Sequence, residues 1–251
     1  ETRSSYIILD ITDPEQTPKL VAEVSHPKMG FATSRPALVK NRQPNVTSGS
    51  FTVPDKNEWA LVFGSGPYGS DATARRLALT DAVSDQKAQL FVFDLVNKVF
   101  KDTSTVGDTS FRVTAGSVSG FTGGLTAADW DNDYKDDVVY FGTVQNTVSA
   151  PEGELMRFVP GANFDFSAAT FSRVLKKPGR LDQPFNGKPY VSSSASGDHW
   201  VHAGTGRFYV VDDNLNALQQ SFYGVKEPVD ANGDLTYASL QYNSDLVDTT
   251  G

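Results

Sequence analysis

Short apolar runs separated by turn residues recur along this chain of 251 residues. The clearest runs cover residues 6–11, 59–63, 90–95, 138–141 and 208–211, and all are rich in aromatic and branched aliphatic side chains. Such runs, with Gly, Pro, Asn or Asp at their ends, are typical of β-strands joined by turns. The pattern therefore predicts an all-β fold.

Three other stretches lack this strand pattern. Residues 70–88 are long enough for a helix, but their apolar side chains do not hold a period of 3.6, so we predict a loop with at most one helical turn. Residues 44–54 and 143–152 are polar and rich in small side chains. We interpret both as long insertions between strands, at the rim of the domain.

Strands that end in an acidic residue and a turn recur along the chain, which favours a β-propeller. A β-sandwich would need fewer residues. Propeller blades are four-stranded sheets of about 40–50 residues, so this length could hold about five to six. Trp59, Trp130 and Trp200 lie in or beside strand runs and are predicted to pack between blades. The sequence opens without a basic and apolar leader, and the first predicted strand begins at Tyr6. Either a signal peptide has been removed or, as we favour, the sequence starts within a longer protein.

Composition narrows the classes of partner. The formal net charge of −8 would repel the phosphates of nucleic acids and attract cations, so we expect no nucleic-acid partner. No apolar run reaches the 18 or more residues of a membrane-spanning helix, so none is predicted. Cysteine is absent, which excludes disulfides and thiolate metal sites in this chain.

A cluster of acidic residues at positions 129–137, with the sequence DWDNDYKDD, carries the strongest chemical signal. Calcium prefers six to eight oxygen ligands, usually carboxylates on alternate residues of a tight loop plus a backbone carbonyl. Loop positions one, three, five and nine are aspartates, and position seven can offer its carbonyl. We predict a Ca²⁺ site made by Asp129, Asp131, Asp133, the Lys135 carbonyl and Asp137.

The loop departs from an EF-hand, because position twelve is Tyr140 within a strand run rather than a bidentate Glu before a helix. Tyr134 replaces the Gly that usually makes the sharp turn, and a positive φ there would cost about 1 kcal/mol and weaken binding. Asp136 has an even position, so we predict a solvated side chain that points away from the ion. The second acidic stretch, residues 230–234, contains Asn-Gly and is predicted to be a plain turn.

No catalytic constellation is evident in the sequence. It contains neither Cys nor a Gly-x-Ser-x-Gly elbow, and its three histidines are His26, His199 and His202, of which the last two should lie on opposite faces of one strand. We therefore expect no enzyme. The alternative is a quinoprotein-like propeller dehydrogenase, in which calcium contacts a quinone. Ligands from a single loop would leave little room for cofactor oxygens, which favours a structural or switching ion.

Three groups of motifs, in order along the chain, resemble the C-terminal propeller of the PilC/PilY family of type IV pilus proteins. They cover residues 6–14, 34–37 and 59–66; then 129–143 and 153–158; and finally 204–207 and 220–225. The family usually has a tight hairpin where residues 143–152 form an insertion here. The resemblance implies that residues 1–251 are part of a C-terminal propeller, with blades missing at both ends.

The same resemblance implies a function. It predicts an extracellular protein that passes through the periplasm to the pilus tip at the cell surface, and that binds one calcium ion. The resemblance further implies control of pilus extension and retraction, surface adhesion, and contacts with pilins or minor pilins and with host or surface ligands. Function depends on sites rather than on folds, so these roles are expectations from analogy.

Overall fold

A computed structural model describes residues 4–42, 46–48, 51–53, 57–101, 110–112, 119–145, 151–161, 169–176 and 183–247. The described chain is all-β, as predicted, and consists mainly of antiparallel sheets that form an open stack rather than a closed ring. None of the helices in these ranges is long and apolar enough to cross a membrane.

The first half of the chain forms a two-stranded sheet, a larger sheet and a separate hairpin. β1 (Tyr6–Asp10) pairs with β2 (Lys19–Val24), and β4 (Val46–Ser48) pairs with β5 (Phe51–Val53). The larger sheet has the order β3-β6-β7-β8, with β9 also on β7. Its strands are β3 (Ala37–Arg42), β6 (Asn57–Gly64), β7 (Gln89–Asp94), β8 (Val99–Phe100) and β9 (Ser110–Arg112).

The second half contains a four-stranded sheet, a three-stranded sheet and a short parallel pair. The four-stranded sheet has β10 (Gly120–Ala128), β11 (Val138–Gln145), β12 (Leu155–Val159) and β13 (Thr170–Arg173) in sequence order. The next sheet has β15 (Tyr190–Ser193), β16 (His199–Gly204) and β17 (Phe222–Lys226). β14 (Leu175–Lys176) pairs with β18 (Leu240–Gln241), which leads into α2 (Tyr242–Asp245).

The four-stranded sheet lies between two cores because its strands are apolar on both faces. Successive residues of β11 point to opposite sides, as the period of two in a strand requires. Val139 and Phe141 pack in one core with residues of β3, β6 and β7, whereas Val138 and Tyr140 pack in the other with residues of β16 and β17. All of β11 is therefore buried. Sheets stacked face to face in chain order are the arrangement of propeller blades.

Four of the five predicted strand runs are confirmed, but the one at residues 208–211 is wrong. There the chain enters a 3-10 helix, Val211–Leu215. The carboxylate of Asp213 accepts hydrogen bonds from the backbone amides of Tyr209 (2.7 Å) and Val210 (2.9 Å) and pairs with Arg207. Such local side-chain bonds compete with sheet pairing, which explains why an apolar run does not form a strand here.

The loop predicted for residues 70–88 is also wrong, because it contains the helix α1 (Ala72–Thr80). Asp71 caps this helix by accepting a hydrogen bond from the Ala74 amide at 2.8 Å. Only Ala78 is buried, so the helix has no broad apolar stripe that a periodicity search could detect. The insertion at residues 44–54 contains the β4–β5 hairpin, while residues 146–150 of the other insertion lie outside the described chain.

Candidate metal centre

The acidic loop joins β10 to β11, the first two strands of the four-stranded sheet. Both strands are largely buried and pair along their lengths, so they fix the two ends of the loop. The amide of Asp137 donates to the carbonyl of Ala128 at 2.8 Å and closes the loop at its base. The sequence thus places a nine-residue loop between two paired and largely buried strands.

Three of the predicted ligands come together in this loop. Asp129, Asp131 and Asp137 each offer a carboxylate oxygen, and these oxygens all lie within 4.8 Å of one another. The Oδ1 atom of Asp129 is buried and has no hydrogen-bond partner. The other oxygen of Asp129 accepts from the Tyr134 amide at 2.9 Å, and Asp137 Oδ2 accepts from the Trp130 amide at 2.7 Å.

This arrangement fits a hard divalent cation. Two oxygens that both bind one calcium ion at about 2.3–2.6 Å can be separated by at most about 4.6–5.2 Å, which matches the cluster. A buried carboxylate oxygen without a donor is costly, and a cation would satisfy it. The three carboxylates could hold the ion and supply its negative ligands, while the backbone bonds keep them oriented.

The electrostatics of the loop point in the same direction. Burial, together with the charges of Asp131, Asp129 and Asp133, outweighs the hydrogen bond from Trp130 and raises the pKa of Asp137 to about 6. Like charges at short range disfavour ionisation of one another. A bound cation would remove this penalty, because it stabilises the ionised form of every carboxylate around it.

This raised pKa predicts that calcium affinity will fall as the pH drops below about 6, by up to about tenfold per pH unit, because protons compete for Asp137. In the metal-free protein the folded-state pKa lies above the ordinary value of 3.8. The contribution of Asp137 to the free energy of unfolding is therefore fully present below pH 3.8 and is lost as the pH rises through about 6. Calcium titrations between pH 7.5 and 5.0 would measure the first effect, and a constant affinity would contradict it.

Asp133 and Lys135 occupy a different geometry from the three clustered acids. Asp133 accepts hydrogen bonds from both the amide (2.9 Å) and the ammonium group (2.8 Å) of Lys135. The bond from the Lys135 side chain, which outweighs a small burial penalty, lowers the pKa of Asp133. The structure does not bring this carboxylate into the cluster. Its role as a ligand, and that of the Lys135 carbonyl, stay predictions.

Asp136 points away from the cluster, but the prediction that it is solvated is wrong. Its carboxylate accepts a hydrogen bond from the amide of Lys40 in β3 at 2.6 Å, and its own amide donates to the Lys40 carbonyl at 3.0 Å. The side chain is half-buried, and this burial raises its pKa despite the bond from Lys40. Asp136 therefore docks the loop onto the edge of the neighbouring sheet.

The predicted strain at position six is present, and a contact accompanies it. Tyr134 has φ +71° and Asn132 has φ +61°, both in the left-handed region. The ammonium group of Lys40 lies 5.3 Å from the centre of the Tyr134 ring and 5.7 Å from that of Trp59, within the range of cation–π attraction. This contact offsets part of the backbone cost of having Tyr rather than Gly.

The structure contains a buried polar network beside the loop that the sequence did not predict. Trp130 packs in the core as predicted, and its indole N–H donates to the hydroxyl of Tyr140 at 3.1 Å. That hydroxyl donates to Glu227 at 2.7 Å, and Glu227 forms a fully buried ion pair with Arg157 at 2.9 Å. Burial and then the neighbouring charge of Glu227 raise the pKa of Tyr140, so its hydroxyl remains protonated. The sequence signal was an Arg at an inward position of an apolar strand.

The remaining sequence candidates have structural roles. His199 packs its ring against Trp130 at 4.5 Å, while His202 contacts Ser192, so the two histidines lie on opposite faces of β16 as predicted. The stretch at residues 230–234 is a turn, as predicted. In it Asp230 accepts from the amides of Asn232 and Asp234, and Gly233 has φ +93°.

Comparison with known proteins supports the fold rather than a family assignment. No protein-family model matches the sequence, and no curated protein matches it. The structure of this chain is similar to the crystal structure of the Pseudomonas aeruginosa PilY1 C-terminal domain, with 19% sequence identity and a TM-score of 0.62. The match covers 95% of this chain and 46% of that chain, so the chain spans about half the length of that structure. The expected resemblance is confirmed at the level of the fold: the chain has a β-propeller-like architecture similar to that of the PilY1 domain.

Proposed function

We propose that this chain is a calcium-binding β-propeller module of a protein associated with type IV pili. The observation that carries the metal-binding part is the cluster of Asp129, Asp131 and Asp137, with its buried oxygen that lacks a partner. The pilus-associated part is supported by the fold that the chain shares with the PilY1 C-terminal domain. We further propose that the protein takes part in pilus biogenesis and in surface adhesion.

Calcium is the ion that the donor atoms favour. The clustered ligands are all carboxylate oxygens, and hard oxygen donors suit calcium or magnesium rather than the softer transition metals. Calcium accepts six to eight oxygen ligands in flexible geometry, whereas magnesium demands near-ideal octahedral geometry at about 2.0–2.1 Å. We therefore propose calcium as the resident ion, bound when the protein reaches a calcium-rich exterior.

We propose a structural or switching role for the ion rather than a catalytic one. The three clustered acids come from one connection between adjacent strands, so the ion would stabilise a local turn. A quinoprotein-like dehydrogenase remains the alternative class. The absorbance and mass spectra of the purified protein separate the two, because a bound quinone would favour the enzyme.

The proposed location is the extracellular surface, at the pilus tip, and the proposed partners are pilins or minor pilins. Deletion of the gene in the bacterium that encodes it will reduce piliation and twitching motility if this is correct. Complementation with the wild-type gene or with Asp71→Ala, which removes an acidic helix cap outside the loop, will restore both. The Asp129→Ala/Asp137→Ala double variant will not restore normal motility. Unchanged piliation and twitching in the deletion strain would contradict the proposed role.

A further inference from the structure

A continuous buried network of hydrogen bonds leads from the acidic loop to the segment that follows β17. It runs from the Trp130 indole to the Tyr140 hydroxyl, then to Glu227 Oε1, and from there to Arg157. The guanidinium of Arg157 continues it by donating to the carbonyls of Tyr237 and, at 3.0 Å, Ala238. This hydrogen-bond network connects β11 and β12 to the segment that follows β17.

The bonded groups in this network are complementary donors and acceptors, whereas the second Glu227 oxygen, Oε2, is buried without a hydrogen-bond partner. The Tyr140 hydroxyl accepts one bond and donates another, and Glu227 Oε1 accepts from both Tyr140 and Arg157. Both members of the ion pair are completely buried. Buried polar networks of this kind tolerate displacement poorly, because any broken bond leaves a polar group without water.

The end of the network at Trp130 lies inside the proposed metal site. Trp130 lies between Asp129 and Asp131 in sequence, and its backbone amide donates to Asp137 Oδ2 at 2.7 Å. Its indole ring packs in the core against His199. Any rearrangement of the three carboxylates therefore acts on the residue that starts the network.

At its far end, the network anchors residues 227–241, which are also held by hydrogen bonds from Ser239 to Arg173 (2.7 Å) and from the Leu240 amide to Val174 (3.1 Å), and by partly buried apolar side chains. Most of these residues are exposed or half-buried. Regular pairing in the segment consists of the Val229–Leu235 bridge and the two-residue pairing of β18 with β14. Tyr237 has φ +51°, and its ring lies 5.7 Å from the Arg157 guanidinium. Segments with few buried contacts open locally at low free-energy cost, so their anchors determine how often they open.

We propose that cation binding in the loop at residues 129–137 orders residues 227–241, the segment that follows β17, through Trp130, Tyr140, Glu227 and Arg157. This coupling rests on the proposed function, since it requires the loop to bind the ion. Coupling between two sites is reciprocal, so a partner that binds and orders residues 227–241 would tighten calcium binding by the same factor. The segment would thereby report calcium occupancy to whatever contacts it.

Amide hydrogen exchange of residues 227–241, with and without calcium, tests the coupling. In the wild type we expect calcium to slow exchange in this segment by about fivefold or more. Tyr140→Phe keeps the ring but removes the hydroxyl, and it should abolish most of this response. Calcium should still bind to that variant, with an affinity lowered by no more than the coupling factor of about fivefold.

Tyr223→Phe is the matched control, because Tyr223 lies in the same core but donates to Gln183 outside the network. It should retain the full calcium response. Trp130→Phe removes the indole N–H at the near end and provides a second break if Tyr140→Phe fails to fold. Calcium binding, confirmed by calorimetry, without any change of exchange in the wild type would overturn the coupling alone. A response that persists in both network variants would overturn this route, and a wild type that binds no calcium would overturn the coupling and the proposed function together.

Discussion

Replacing Arg157 by Met will lower the free energy of unfolding by about 3–5 kcal/mol, because it leaves a buried charge without its partner. Both side chains of the Arg157–Glu227 pair are 0% exposed. The substitution also removes the donors to the carbonyls of Tyr237 and Ala238, which close the segment over the core. Urea unfolding monitored by tryptophan fluorescence will measure the change.

Two controls separate the buried charge from a general loss of packing. Adding Glu227→Gln to Arg157→Met removes the orphaned charge and should recover a large part of the loss. Lys226→Met breaks an ion pair with Asp198 whose side chains are 48% and 33% exposed, and it should cost less than about 1 kcal/mol. A loss below about 1 kcal/mol for Arg157→Met itself would contradict the structural importance of the buried pair.

Replacing Asp129 or Asp137 by Ala will lower calcium affinity by at least about tenfold, equivalent to about 1.4 kcal/mol of binding free energy. Each substitution removes an oxygen ligand and a negative charge from the cluster of three. Asp129 carries the unpartnered buried oxygen, and Asp137 fixes the loop through Trp130 and Ala128. Isothermal titration calorimetry at pH 7.5 will give the affinities.

The loop supplies its own matched control for this prediction. Asp136→Asn alters an acid next to Asp137 that faces Lys40 rather than the cluster, so its effect on affinity should be much smaller. Its effect on stability can exceed its effect on binding, because the bond to Lys40 docks the loop on β3. Equal calcium affinity in the Asp129→Ala variant and the wild type would show that the ion binds elsewhere.

Sequence patterns were sufficient for features that depend on neighbouring residues. Strand runs, the Asp-rich turn between two of them, and the positive φ of Tyr134 all follow from local chemistry. The wrong predictions involve competition between local signals. At residues 208–211 the carboxylate of Asp213 captures the backbone amides of a run that has the composition of a strand. The spacing rule also counts Asp133 as a ligand; in the structure its carboxylate pairs with Lys135, and its role in calcium binding stays a prediction.

Long-range pairs could not be predicted from one sequence. Lys40 and Asp136 are 96 residues apart, and Tyr140 and Glu227 are 87 residues apart. Periodicity assigns a residue to a face but does not identify which residue of another sheet lies opposite it. The buried Arg157 was therefore readable only as an anomaly in an apolar strand, without its partner. The additional blades expected beyond both ends of the chain also stay a prediction.

A crystal structure of the protein grown with calcium would test directly whether the acidic loop binds the ion. We expect one ion between Asp129, Asp131 and Asp137, with carboxylate oxygens at about 2.3–2.6 Å, and further oxygens from the loop or from water. We also expect Asp136 to keep its bond to Lys40. A calcium ion found only at another position, such as the turn at residues 230–234, or a loop that holds only water at saturating calcium, would contradict the proposed calcium site.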